Sequence, residues 1–283
     1  MLAFSCLVAG SFSLGSLVAG EIASTAFIAV RFAIATVLVG AMAMATGGII
    51  RRALAAPWRY AVLGALFAVY FLMMFEGLQY ATPVSTSAVF TLTPLLSAFF
   101  GYLILRQITT RRIALALSIG AAGALWVIFR ADLSAFLAFE VGKGEAIYFI
   151  GVVAHAIYTP LVRKFSRGER TFVFTFLVLA SATVAIFAVG WQDVRATDWG
   201  ALRPIVWITL AYIAVIATTV TASLLAFASV RLEAAKVMAY TYLTPSWVIV
   251  WEIALGHGVP PTLVFGGISL TIVALYLLLK HED

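Results

Sequence analysis

Long, uninterrupted apolar runs dominate this sequence. Windows of about 19 residues divide it into ten apolar segments, called spans 1 to 10. They are Leu2–Ala19, Ser24–Thr46, Tyr60–Tyr80, Val84–Leu105, Ile113–Phe129, Glu145–Val162, Phe172–Gly190, Ile205–Val230, Ala234–Leu255 and Thr262–Leu279. A membrane-spanning helix needs about 20 apolar residues, whereas the strands of a membrane barrel need only about 9–11. The runs therefore predict an all-α integral membrane protein with ten transmembrane helices.

Composition excludes the other classes of chain. Of the 283 residues, 64% are hydrophobic and 11% are charged; an ordinary soluble domain has roughly 25% charged residues. A soluble globule of this size could not cover its surface with so few polar side chains. Cys6 is the only cysteine, so we expect no intrachain disulfide and no thiolate metal cluster. We expect no cofactor.

The positive charges alternate between loops. Thirteen of the 18 Lys and Arg residues lie in one set of loops and four in the alternate set, while Arg31 lies inside span 2. Because Lys/Arg-rich loops stay in the cytoplasm, both termini are predicted to be cytoplasmic. The net charge of +6 then indicates topology in an inner or plasma membrane, and no nucleic acid partner is expected.

A short sequence repeats in the two halves of the chain. Leu-Thr-Pro occurs at residues 92–94 in span 4 and again at 243–245 in span 9. Span 9 follows span 4 by five spans, an odd number, so the two copies run in opposite directions. Such inverted repeats place a substrate site near the membrane midplane. The predicted organisation is a first five-helix repeat at 1–130, a periplasmic linker at 131–143 and a second five-helix repeat at 144–283. Proline breaks helical hydrogen bonding, so the predicted kinks are at Pro94 and Pro245.

Several loose motifs occur in a consistent order. They are Arg31-Phe32 in span 2, Gly-Leu-Gln-Tyr-Ala at residues 77–81, Gly-Ala-Ala-Gly at 120–123, Arg163-Lys164 at the end of span 6 and the two Leu-Thr-Pro sequences. In their order and spacing the chain resembles the drug/metabolite transporter superfamily, specifically the EamA-type ten-helix transporters. The resemblance implies two inverted repeats around a central cavity and secondary transport of small metabolites, often the export of amino acids.

Two features depart from that family pattern. Residues 9–10 are Ala-Gly where the family often has Trp-Gly. Gln107, and His257 or Gly258, stand where a glutamate often follows spans 4 and 9. A mechanism that uses those glutamates is therefore not expected here.

Ionisable residues inside spans are costly and suggest function. Arg31 and Glu76 lie at similar depths, so we hypothesise that Arg31 pairs with Glu76 or with a substrate carboxylate. The alternative is a packing salt bridge or an arginine that extends to the membrane surface. Glu252 is a second candidate carboxylate that could exchange a proton during antiport; the alternative is a residue at the rim of an outer vestibule.

His155 lies near the middle of span 6, with Tyr158 one turn away on the same face. Histidine can titrate near neutral pH or offer a ligand one donor and one acceptor. We predict that both residues contact substrate; the alternative is a hydrogen bond from His155 to a neighbouring helix.

Polar and aromatic side chains also form stripes in spans 4 and 9. Hydroxyl and aromatic walls suit an amphipathic substrate, although the aromatic residues could simply pack between helices. The predicted contacts are Tyr240, Thr244 and Trp247 in span 9 and Ser87 and Thr91 in span 4.

Together these features predict a secondary active transporter. It would export small metabolites by alternating access. Amino acids or amphipathic amines are the first candidate substrates. Protons are the candidate coupling ion, and membrane lipid is the other partner. An uncoupled uniporter or channel is the alternative. An integral-membrane enzyme is a remote one, since the sequence has no phosphate-binding loop, catalytic triad pattern or metal-ligand cluster.

Overall fold

The described chain is helical throughout. A computed structural model describes residues 1–49, 51–108, 110–129, 132 and 141–279, and no strand occurs among them. The α-helices, numbered in chain order, are α1 Leu2–Val18, α2 Ser24–Ala45, α3 Trp58–Gly77, α4 Pro83–Phe90, α5 Thr93–Leu105, α6 Arg111–Ile128, α7 Lys143–Phe165, α8 Thr171–Ala196, α9 Pro204–Ala211, α10 Thr221–Ser229, α11 Ala234–Met238, α12 Thr244–Ala254 and α13 Val264–Leu279. A π-helix, Tyr212–Val220, connects α9 to α10, and 3-10 helices occupy Arg51–Leu54 and Ala239–Leu243.

Seven helical stretches of the described residues are long and apolar enough to cross a membrane, if α4–α5 and α9–α10 each count as one. The helices α1 and α13 are apolar but shorter. An all-α membrane protein is therefore confirmed. Most of the predicted linker 131–143 lies outside the described residues.

Local chemistry explains where several helices begin. Proline occupies the first turn of α4 and α9, which follow loops, and its missing N–H costs nothing there because that position has no helical acceptor. Thr82 and Thr110 precede α4 and α6, and each side chain accepts a hydrogen bond from the backbone N–H three residues later. These caps satisfy donors that the start of a helix leaves unpaired.

The first Leu-Thr-Pro sequence divides span 4 into two helices. Pro94 has no N–H with which to reach the carbonyl of Phe90, and the Thr93 hydroxyl donates to that oxygen instead, at 2.5 Å. The Thr91 hydroxyl donates to the carbonyl of Ala88 at 2.6 Å. The Thr93 hydroxyl thus satisfies a carbonyl that proline leaves without its helical donor inside a bilayer. The carbonyl of Ala88 also accepts from the backbone N–H of Thr91. Pro94 lies in the first turn of a new helix rather than in a continuous kinked one.

The second Leu-Thr-Pro sequence also marks a helix boundary, with a different local structure. A 3-10 helix, Ala239–Leu243, precedes α12, and Pro245 lies in the first turn of α12. The buried Thr244 hydroxyl has no hydrogen-bond partner among the described residues. The two copies therefore share the break but not the hydroxyl that compensates for it.

Helices of the two halves interlock. We call residues 1–129 the N-half and residues 141–279 the C-half. Across the boundary α3 packs on α7, α2 on α8 and α6 on α13. One large apolar core joins helices of both halves, and a smaller cluster of residues such as Ile113, Tyr242 and Leu275 lies between α6, α13 and the 3-10 helix that precedes α12.

The α6–α13 interface gives a test of this packing. A Cβ at Gly267 would lie 2.6 Å from the carbonyl oxygen of Gly123, whereas one at Gly266 would meet nothing closer than 3.9 Å. We expect Gly267→Ala to lower the unfolding free energy by about 1–3 kcal/mol, because the helices must separate. Gly266→Ala is the matched control and should be neutral or stabilising. Thermal unfolding in detergent measures both, and equal melting temperatures would contradict this packing.

Candidate functional site

A small cavity lies at the centre of the bundle, between the two halves. Its N-half walls come from α1, α2 and α3, and its C-half walls from α7, the π-helix and α10. Its volume is about 20 Å³, which is room for little more than one water molecule. The lining residues with polar side chains include Ser11, Arg31, Tyr70, His155 and Thr221.

Arg31 is the charged group of this cavity. Its side chain is only 1% exposed. Its Nε donates to the Thr218 hydroxyl at 2.7 Å, and its guanidinium carbon lies 4.2 Å from the ring centroid of Phe71. No carboxylate among the described residues lies within 4 Å of it. Arg31 is therefore a buried cation whose protein contacts are neutral.

The structure does not bring Arg31 and Glu76 together. Glu76 accepts hydrogen bonds from the Ser24 hydroxyl at 2.8 Å and from the Gln79 side chain at 3.1 Å. Both partners belong to the N-half, so Glu76 lies in a polar cluster that does not include Arg31.

The π-helix supplies the hydroxyl that orients Arg31. The Thr218 hydroxyl accepts from Arg31 and itself donates to the carbonyl of Ile213, five residues earlier, at 2.8 Å. The next residue, Thr219, donates to Ala214 in the same way at 2.9 Å. Segments of π-helix are rare and occur frequently at functional sites. Here the wide turn presents one threonine to the arginine across the interface between the halves.

His155 also lines the cavity and lies in an aromatic box. Its ring stacks on Tyr70 with centroids 4.2 Å apart and lies 5.9 Å from the ring of Tyr158, nearly parallel to it. Phe67 and Phe90 complete the box. The side chain is 2% exposed, and neither ring nitrogen has a hydrogen-bond partner among the described residues. The structure therefore makes no hydrogen bond from this histidine to a neighbouring helix.

Two tyrosines connect the box to the rest of the bundle. The Tyr148 hydroxyl donates to the Tyr70 hydroxyl at 3.1 Å, which links α7 of the C-half to α3 of the N-half. Tyr158 stacks on Phe67 with centroids 4.9 Å apart. Tyr158 therefore belongs to the packing around the aromatic box. It is not among the residues that line the cavity.

The predicted stripes in spans 4 and 9 lie away from this cavity. The hydroxyls of Ser87 and Thr91 donate to carbonyls of their own helix. Tyr240 packs against the smaller cluster beside α6 and α13, and Trp247 is partly exposed on the outside of the bundle. Thr244 is buried. None of the five lines the central cavity.

Glu252 lies near the end of α12. One of its carboxylate oxygens is 2.8 Å from Nδ1 of His257, and the His257 side chain is 44% exposed. This places the predicted coupling carboxylate beside solvent-accessible histidine and outside the cavity lining.

An ion pair joins the halves at one end of the bundle. Arg59, at the start of α3, donates to a Glu169 oxygen at 3.0 Å, and the two side chains are 1% and 6% exposed. Arg59 also donates to the carbonyls of Phe165 and Ala55. The Tyr60 hydroxyl donates to the same Glu169 oxygen at 3.2 Å. This buried cluster connects α3 of the N-half to the loop between α7 and α8.

A second ion pair joins the halves at the other end. Arg203, just before α9, donates to Glu21 at 2.6 Å, with side chains 72% and 23% exposed. Glu21 lies in the five-residue loop between α1 and α2, and Glu169 in the five-residue loop between α7 and α8. Glu21 precedes α2 and Arg59 follows it, so about 33 Å of helix, at 1.5 Å per residue, separates the two pairs.

The environment of Glu169 favours its charged form. Burial alone would raise the pKa of the carboxyl, but the backbone N–H of Arg167 and the guanidinium of Arg59 donate to it. Together with the positive charge of Arg59, these hydrogen bonds outweigh burial and hold the pKa of Glu169 below its ordinary value. Glu169 is therefore ionised at neutral pH.

Sequence reasoning identified Arg31 and His155 and missed their partners. Tyr70 and Thr218 are ordinary residues of apolar spans, and nothing in their spacing distinguishes them. The threonine pair at residues 218–219 was a usable signal, because two adjacent hydroxyls in an apolar run need acceptors. The pairing of Arg59 with Glu169 has no sequence signal, since 110 residues separate them.

A bundle of long apolar helices that pack across two halves defines a multi-pass membrane protein. The model of the EamA-like transporter family matches residues 1–129 and 142–280. The chain therefore belongs to the EamA-like transporter family, and it is a multi-pass transporter of the cell membrane. The predicted resemblance to the drug/metabolite transporter superfamily is confirmed.

Comparisons with individual proteins agree. The chain is 26% identical over 216 residues to the Uncharacterized transporter YyaM of Bacillus subtilis (strain 168), an alignment that covers 76% of this chain and 71% of that protein. A crystal structure of another protein matches 98% of this chain and 94% of its own, with a TM-score of 0.73 at 16% identity. That match shows the fold alone.

The Arg59–Glu169 pair predicts a pH-dependent stability. A carboxyl whose folded pKa is depressed stabilises the fold above its unfolded value, about 4.5, and loses that contribution as pH falls through the folded value. We expect Glu169→Gln to lower the melting temperature by a margin that is constant from pH 8 to about pH 5.5 and shrinks in stronger acid. Glu21→Gln, at the exposed pair, should change it little. A margin that grows on acidification would contradict this assignment.

Proposed function

We propose that this protein is a secondary active transporter that exports small metabolites by alternating access around the central cavity. Amino acids or amphipathic amines are the first candidate substrates. The observation that carries the proposal is the cavity itself. It holds a buried arginine and a buried histidine at the interface of the two halves. Buried ionisable groups of this kind mark substrate and ion pathways in membrane proteins.

The proposal includes ten spans in two inverted repeats with both termini cytoplasmic. Counting α4–α5, α9–α10 and α11–α12 as single spans gives ten, and the family model matches two stretches of the chain. The packing supports a two-fold relation. If the halves exchange, α2–α8 and α6–α13 map onto themselves, and the contact of α3 with α7 maps onto that of the π-helix with α1.

The size of the cavity implies motion. Ligand sites of metabolite size occupy about 300–1,000 Å³, far more than the cavity offers. Substrate can therefore enter only if the halves move apart on one side. We assign the described conformation to an occluded state, in which neither side is open.

The two ion pairs between the halves are the proposed gates. Exchange of the halves maps the loop of Glu21 onto that of Glu169, and the start of α3, with Arg59, onto the start of α9, beside Arg203. Each pair thus performs the same task at opposite ends of the bundle. By the loop charges, Arg59–Glu169 closes the cytoplasmic end and Arg203–Glu21 the periplasmic end.

The remaining predicted residues take secondary roles in this proposal. His155, supported by Tyr158, contacts substrate directly. Glu252 remains the candidate for proton coupling. The side chains of the stripes in spans 4 and 9 are candidate substrate contacts in the opened state only. Movement at the helix breaks beside Pro94 and Pro245 would then bring them to the cavity. They are Ser87, Thr91, Tyr240, Thr244 and Trp247.

Flux measurements test the transport function. In proteoliposomes we expect movement of amino acids or amines that a pH gradient accelerates. His155→Phe should keep the aromatic stacking while removing both ring nitrogens. It should weaken substrate affinity roughly tenfold, the value of one hydrogen bond of about 1.4 kcal/mol. Flux that ignores the pH gradient would favour a uniporter, and wild-type affinity in His155→Phe would remove its ligand role.

Thiol labelling tests the gates. Ser11→Cys in a Cys6→Ser background places a reporter in the cavity. Adding Glu169→Gln should speed its reaction with a membrane-impermeant reagent applied from the cytoplasmic side, because that end opens more often. Adding Glu21→Gln should act from the other side, and more weakly, because exposed pairs are worth only about 0–1 kcal/mol.

Glu233→Gln is the matched control for labelling. Its pair with Lys236 is exposed and lies within one helical turn, so no change is expected. Equal acceleration from both sides in Glu169→Gln would contradict a gate at one end.

A further inference from the structure

We propose that the terminal nitrogens of Arg31 bind a carboxylate of the transported molecule, so that the substrates are small carboxylic acids with an apolar or aromatic substituent. This inference rests on the transport function proposed above and narrows its substrate class. It selects acids, amino acids included, over amines that lack a carboxylate.

The buried charge of Arg31 is the first observation behind this inference. Arg31 is 1% exposed and lacks a carboxylate partner among the described residues. The second buried arginine, Arg59, is paired with Glu169 and hydrogen-bonded to three carbonyls. Buried charges in membrane proteins normally pair with one another or with backbone carbonyls. The contrast within one chain marks Arg31 as a cation whose counter-ion comes from elsewhere.

The geometry of the Arg31 nitrogens is the second observation. Among the described residues, Arg31 makes one hydrogen bond, from Nε to the neutral hydroxyl of Thr218. Phe71 lies against the guanidinium face. These contacts fix the plane of the guanidinium and leave its two terminal nitrogens unbonded to the described residues. That planar fork matches the two oxygens of a carboxylate.

The other residues that line the cavity are the third observation. His155 lines the same space and has no partner for its ring nitrogens among the described residues, so it can supply a further donor. The other walls are mainly apolar, and they suit an apolar substituent. They include Phe4, Val8, Phe67, Met74 and Leu225.

The competing explanation is a structural role, in which Arg31 merely holds α2 against the π-helix. Stability separates the two explanations. A binding arginine without a counter-ion destabilises the empty protein, so Arg31→Met should leave the melting temperature unchanged or raise it by about 2–4 °C. Arg59→Met is the matched control and should lower it, because it leaves Glu169 buried without its partner. A fall in Arg31→Met as large as in Arg59→Met overturns the inference.

Binding is measured on the same purified proteins with three matched probes. L-phenylalanine and 3-phenylpropionate carry a carboxylate, whereas phenethylamine has the same ring and no carboxylate. Thermal shift should report binding of both acids and not of the amine. Arg31→Met should weaken acid binding at least about tenfold, with Arg31→Lys intermediate because it keeps the charge without the fork. Arg195→Gln, an exposed arginine, should bind as the wild type.

Binding of the amine alone, or of none of the three probes, overturns the inference. So does unchanged acid binding in Arg31→Met. The flux assay keeps this failure distinct from failure of the proposed function: a protein that moves amines and not acids remains a transporter, and only the assignment of Arg31 falls. A protein that moves neither class loses both.

Discussion

The lack of water inside a bilayer governs this structure more than any single contact. Each backbone N–H and C=O must find a partner within the protein, so regular helices are the default, and each departure requires compensation. At the break between α4 and α5 the hydroxyl of Thr93 provides it. In the π-helix the hydroxyls of Thr218 and Thr219 contact carbonyls five residues earlier. Threonine therefore accompanies the irregular backbone, and in the π-helix it also orients Arg31.

The same constraint makes the central cavity informative. A buried arginine inside a bilayer has a high free-energy cost. The contacts of Arg31 are the hydroxyl of Thr218 and the ring face of Phe71. Its neighbours on α3 and α7, Tyr70 and His155, are joined by stacking instead of charge. The buried polar groups and the aromatic packing thus coincide at the interface between the halves.

The sequence predicted the helices well because the length of an apolar run directly limits a helix. Span 1 was expected at Leu2–Ala19 and α1 is Leu2–Val18. Sequence predicted the breaks less well: proline marked two of them, while the π-helix in span 8 was marked only by the adjacent threonines at residues 218 and 219. For the site, position along a helix gives depth but not direction around the axis. Arg31 and Glu76 share a depth, yet they belong to different clusters. Tyr70 and Thr218 required the three-dimensional packing.

The unequal burial of the two ion pairs has a consequence for the environment of the protein. Arg203 is 72% exposed, whereas Arg59 is 1% exposed. Dissolved salt screens exposed charges strongly and buried ones weakly. The ionic strength of the medium at the exposed end therefore acts on that junction alone. If the halves alternate as proposed, the resting balance between inward-facing and outward-facing forms would follow the salinity on that one side of the membrane.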